Sequence, residues 1–100
     1  MAISRAVFES GMTIDQFKAQ MRQNRENLEQ SEAGVVIPPA ERAFFAGLPA
    51  PLNVLTLAED WCPDVVAGLA VVGKLAQETG KLNVRVLLRD EHLDIADQYL

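Results

Sequence analysis

Cysteine and histidine each occur once in these 100 residues, at Cys62 and His92. A single cysteine excludes any disulfide within the chain, and one histidine beside it makes no zinc set, so neither metal nor other cofactor is expected. Positive charge is also scarce. Nine Lys and Arg stand against 14 Asp and Glu, for a formal charge of −5. Phosphate binding needs clustered cations. The nearest approach to a cluster, Lys18, Arg22 and Arg25, is diluted by Glu26 and Glu29, so nucleic acid is not an expected partner. No apolar run approaches the ~20 residues of a membrane span. Glu9 falls where a secretory leader would continue its apolar stretch, so membrane contact is not expected and the cytoplasm is the expected compartment. Gly68 and Gly73 lie inside a helical pattern without the lysine of a phosphate cradle, and no spacing supports a Ser/His/Asp set.

What is present is an apolar fraction of 49%, enough for one small domain with a packed core. Residues 1 to 12 are weakly patterned and read as a loose arm. Thr13-Ile14-Asp15-Gln16 reads as a capping box, with the Thr13 hydroxyl accepting from the Gln16 N–H and the Gln16 side chain reaching back. Ile14, Phe17, Met21 and Leu28 follow at spacings of 3, 4 and 7, which predicts a helix over about 14–30 with a narrow apolar stripe. Val35-Val36-Ile37 is extended ahead of Pro38. Pro39 opens another helix that Gly47 and Pro49 end, with Phe44 and Phe45 as expected packing residues.

Leu52 to Ala58 is nearly continuously apolar and predicts a strand covered by helices on both faces. A helix over 63–78 follows, with Pro63 early, Asp64 complementing its positive end, Val66, Leu69, Val72 (or Gly73) and Leu75-Ala76 inward, and Gly80 as C-cap. Val84 to Leu88 predicts a second, parallel strand. A last helix starts at Asp90 or His92 and runs through Leu93, Ala96 and Tyr99, with Glu91, Asp94 and Asp97 on a solvated face. The fold class is therefore α/β, a parallel β-α-β unit behind a helical extension. The expected divisions are an arm at 1–12, a helical extension at 13–50 and a partial domain at 51–100. Two strands are marginal alone; the unfinished sheet reads as the N-terminal part of a larger fold or as a short form completed by a partner or a second copy.

Chemistry concentrates at Trp61-Cys62-Pro63-Asp64-Val65. A thiol between a buried strand and a helix N-terminus sits where backbone N–H groups favour an anion, a setting that lowers thiol pKa and favours the nucleophilic thiolate. Asp60 and Asp64, read as solvated anions, oppose that effect. Two readings of Cys62 stand side by side, an activated thiol and a small buried hydrophobe. Trp61 is either a substrate platform or a wedge against the first helix. His92 is read as a surface or helix-start residue rather than a partner of Cys62.

The run Leu55-Thr56-Leu57-Ala58-Glu59-Asp60-Trp61-Cys62-Pro63-Asp64, together with Val84 to Glu91 and the stretch Leu93 to Leu100, resembles the thioredoxin-like superfamily. Within it the run is most similar to bacterial proteins with a helical N-terminal extension and a W-C-x-D-C active site. The resemblance covers roughly residues 10–100. It implies that Cys62 is the attacking, catalytic thiol, that Trp61 shapes the surface around it and that Pro63 tunes the turn. The motif's second cysteine falls on Val65, and Thr56 falls at the buried acidic position that assists proton transfer in classical thioredoxins. The family's cis-proline loop would lie beyond Leu100. The implied function is thiol–disulfide exchange through one thiol, with protein disulfides or glutathione as partners. The alternative is a redox-inactive thioredoxin-fold module for binding or structure. An uncovered sheet edge and apolar face would also invite homo-oligomers.

Overall fold

The computed structural model describes residues 3–99. Met1 and Ala2 of the expected arm and Leu100 of the expected last helix lie outside the described residues, as do the side chains of Gln98 and Tyr99.

Two parallel strands, β1 (Leu52–Ala58) and β2 (Leu82–Leu88), pair in register from Leu52↔Leu82 to Ala58↔Leu88. The helix that joins them, α5 (Pro63–Thr79), begins at Pro63 and ends at Gly80, whose φ of 65° is a left-handed C-cap with its N–H on the Ala76 carbonyl. This is the expected α/β class, and the apolar run 52–58 matches β1 residue for residue. Beyond β2, a 3-10 turn at Arg89–Glu91 leads into α6 (Leu93–Tyr99).

Ahead of the sheet stand α1 (Arg5–Ser10), α2 (Ile14–Gln20), α3 (Arg25–Gly34) and α4 (Pro39–Ala46). The first is a departure from the loose arm expected at 1–12. Ser4 caps α1 by accepting from the Val7 N–H. The chain leaving it pairs Met12 with Val86 in both directions, at 2.8 and 2.7 Å. Gly11 permits that approach, because a Cβ there would lie 2.9 Å from the Arg85 Cβ.

The expected single helix over 14–30 is two. The capping box at Thr13 and Gln16 forms as read, with both of its hydrogen bonds present. α2 then stops, and the chain turns through Met21–Asn24, where Asn24 has a φ of 61°. The turn lets Phe17 and Met21 on one side and Leu28 on the other reach the same core, which they share with Ala58, Val66, Leu69, Ala70 and Val86. A straight helix would have left no apolar residue at positions 24 and 25 to carry the stripe forward. Lys18 and Glu32 pair at 2.6 Å across the two helices.

The strand β1 is not covered on both faces. Alternation along the pleat puts Thr56 and Ala58 toward the α2, α3 and α5 core and Leu55 and Leu57 on the reverse face. That reverse face meets α6 through Ile95 but is largely open, and β1 pairs on one edge only among the described residues. Phe44, expected to pack, is 67% exposed and stacks edge-to-face on Phe45 instead. No helix among the described residues is long and apolar enough to cross a membrane.

Phe17 is fully buried. Phe17→Ala should therefore cost about 3–5 kcal/mol, whereas Phe44→Ala should stay within about 0.5 kcal/mol, both read from urea denaturation midpoints.

Candidate active site

The site begins with the turn between β1 and α5. Cys62 is the residue immediately before α5, in an extended conformation at φ −102°, ψ 106°. Its carbonyl accepts the Val66 N–H at 3.1 Å, which starts the helix, while its side chain makes no capping hydrogen bond. Sγ is thus left for other chemistry at the end of a 17-residue helix whose first-turn amides are unpartnered by its own carbonyls. Pro63 occupies the first helical position, where a missing N–H is no loss. Asp64 follows it, exposed, in the turn where a carboxylate complements the helix end.

Cys62 is half-buried. It opens, with Trp61, onto a concavity of about 850 Å³ on the reverse face of the sheet. Leu55, Leu57, Val65 and Ile95 make its walls, with Glu59 and Arg89 as its charged members. Trp61 is 50% exposed and shares this surface with the thiol rather than wedging into the helical core. Val65, at the fourth position of the motif, lines the concavity and also packs against the buried cluster. Thr56, between Leu55 and Leu57 on β1, borders the concavity while its pleat position faces the core side.

Two acidic residues hold the turn. Glu59 Oε1 accepts the Asp90 N–H at 3.0 Å, linking the turn after β1 to the turn after β2. Asp60, expected to be solvated, is half-buried and engaged. Its Oδ2 accepts the Arg22 N–H at 2.7 Å, and its carbonyl accepts from Asn24 Nδ2 at 2.7 Å. His92 is not brought to the thiol. It lies at the start of α6, its carbonyl accepting the Ile95 and Ala96 N–H groups, outside the concavity. Among the described residues no cluster of His, Cys, Asp and Glu could hold a metal ion.

Glu59, Asn24, Arg22 and Asp90 were not singled out as site-supporting residues by the sequence. The legible signal was the gap between Met21 and Leu28, where Asn24 and Arg25 interrupt an otherwise apolar helical stripe. Leu55 and Leu57 were legible too, as an i, i+2 pair sharing one face of a strand.

Among protein-family models, the one described as thioredoxin matches residues 11–100. No curated protein and no solved structure matches the chain. The match spans nine-tenths of the sequence and takes in both strands, α5 and the Cys62 turn. The chain belongs to the thioredoxin family, and its two-stranded parallel sheet with flanking helices is a partial thioredoxin-like fold.

Trp61 is the single tryptophan of the chain and lines the same concavity as Cys62. An apolar maleimide should therefore alkylate Cys62 in the folded protein and change the Trp61 emission at the same rate as it consumes the thiol. Reaction only after denaturation would contradict this exposure.

Proposed function

We propose that the chain is a thiol–disulfide exchange protein that works through one thiol, Cys62. The observation that carries the reading is the placement of Cys62 at the α5 N-terminus, its side chain making no capping bond, in the lining of the concavity it shares with Trp61. Membership of the thioredoxin family supports it. So does the finer likeness of Trp61-Cys62-Pro63-Asp64 to bacterial thioredoxin-like proteins that carry a helical extension and a W-C-x-D-C motif.

The chemistry balances without a second thiol in the chain. The Cys62 thiolate attacks one sulfur of a glutathionylated protein along the S–S axis. A Cys62–glutathione disulfide forms, the original S–S bond breaks, and the protein thiolate leaves with the electron pair and takes a proton from water. A free glutathione thiolate then attacks the glutathionyl sulfur, giving glutathione disulfide and restoring Cys62. Val65 makes an internal second step unavailable, which is why the reductant must come from outside. Such a cycle belongs in a glutathione-containing, reducing compartment such as the cytoplasm.

A second reading, a redox-inactive binding module, is favoured by the same concavity, which is bordered by Val65 and Thr56, an apolar and an uncharged residue where the thioredoxin-like pattern implies cysteine and acid. The two readings separate on one experiment. The reduced protein incubated with glutathione disulfide should form a stable one-to-one mixed disulfide seen by mass spectrometry, and Cys62→Ser should abolish it. Val65→Cys should convert the adduct into an internal disulfide with release of glutathione, since positions 62 and 65 then form Cys-x-x-Cys at a helix start. A folded wild-type protein that forms no adduct would overturn the single-thiol reading and leave the binding module.

A further inference from the structure

The hydrogen bond that closes the Cys62 turn on itself is longer than those that tie the turn to distant parts of the chain. Within the turn, the Cys62 N–H reaches the Glu59 carbonyl at 3.4 Å, beyond the usual range for a well-formed bond. The two bonds from Asp60 to the joint between α2 and α3 are both 2.7 Å, and they span 38 and 36 residues. One has an ionised acceptor, which roughly doubles its strength over a neutral pair. The Arg22 bond lies at the exposed surface, whereas the Asn24 bond to the Asp60 carbonyl is partly buried.

The other side of the contact is shaped to receive it. Asn24 is the single non-glycine residue with positive φ among the described residues, at 61°. Asn tolerates that region better than most side chains, but it still carries a backbone cost that the surroundings must offset. Its Nδ2 is spent on the Asp60 carbonyl and its Oδ1 accepts from Asn27 Nδ2 at 2.8 Å. The break in the helical extension therefore coincides with the point at which two of its donors, the Arg22 N–H and the Asn24 amide, converge on one residue of the thiol turn.

We propose that the α2–α3 joint is a clamp on the thiol turn, with Asp60 as the positioning residue that holds Cys62 at the α5 N-terminus. Asp60 touches no reacting atom; it acts by restricting where the backbone of residues 60–62 can go. The helical extension is thereby part of the site, although none of its residues meets the substrate. The kinetic consequence rests on the single-thiol reading above, whereas the clamp itself does not.

The test uses the full chain, three single variants and one double variant, with Asp60→Asn as the conservative one because its Oδ1 still accepts from the Arg22 N–H. Asp60→Ala should lose the protection of the Arg22 amide from hydrogen exchange and slow glutathionylation of Cys62 by about tenfold, the order expected from losing one hydrogen bond to a charged group. Asp60→Asn should recover most of that rate. Asn24→Gly keeps the left-handed backbone but removes the amide donor, and should slow the reaction similarly. The double variant Asp60→Ala with Asn24→Gly should be slowed by less than the product of the two single effects, since the two bonds belong to one clamp. Rates are compared at a temperature where circular dichroism shows every variant folded. If Asp60→Ala does not fold, Asn24→Gly and Asp60→Asn carry the comparison. Unchanged rates in folded variants that have lost Arg22 protection would overturn the positioning role. An unprotected Arg22 amide in the wild type would overturn the clamp. A wild type that forms no glutathione adduct, with Arg22 protected, would sink the single-thiol reading while the clamp stands.

Discussion

The structure depends on burying one apolar layer between a two-stranded sheet and three helices, and Phe17 is at its centre. Two parallel strands and the helix between them cannot sequester Val66, Leu69 and Ala70 by themselves, because a sheet this narrow leaves too little surface to cover a 17-residue helix. Phe17 and Leu28, both fully buried, complete the layer from α2 and α3. The hydrophobic stabilisation of such side chains is about 1.5–3 kcal/mol each relative to exposure, larger than any surface ion pair in the molecule, such as Arg5–Glu9 or Arg25–Glu29, can contribute. The helices ahead of the sheet and the β-α-β unit consequently share one core.

From that packing follows the geometry of the thiol turn. With α2 held against β2 and α3 against α5, their joint lies beside the end of β1, and Asp60 can meet Arg22 and Asn24 without either segment bending toward the other in isolation. Glu59 makes the corresponding link to the turn after β2. Cys62 is thus set by contacts from both sides of its turn, while its own side chain is left free of backbone partners at a helix N-terminus. The reverse face of the sheet, which carries Leu55 and Leu57, stays open beside it. A half-buried thiol next to an apolar concavity suits the proposed exchange with a large disulfide: access for a sulfur and surface for what the sulfur is attached to.

Much of this was legible in the chain. The β1 run is nearly continuously apolar over Leu52–Ala58 and its limits are legible, because Pro51 precedes it and the polar Glu59-Asp60 follows. β2 begins two residues before the expected Val84, since Leu82 and Asn83 pair with Leu52 and Asn53 even though a polar residue interrupts the apolar pattern. The capping box at Thr13 and the Gly80 C-cap are local devices, and local devices can be read from spacing. The helix break after Gln20 was missed because what stabilises it, the bonds to Asp60, comes from residues some three dozen positions away. Helix α1 was missed for a related reason: it is short and weakly patterned, and its exit is held by the pairing of Met12 with Val86.

By itself the sequence determined the class of fold, the order of strand, helix and strand, and the position of the one thiol between a strand and a helix, since each follows from periodicity, caps and the absence of a second cysteine. Only the tertiary structure decided that Asp60 is an anchor rather than a solvated anion, that Phe44 faces outward, and that β1 keeps one face open. Those outcomes depend on which surfaces meet across long stretches of chain. A side chain's fate there is set by its neighbours in space, and no local pattern encodes them.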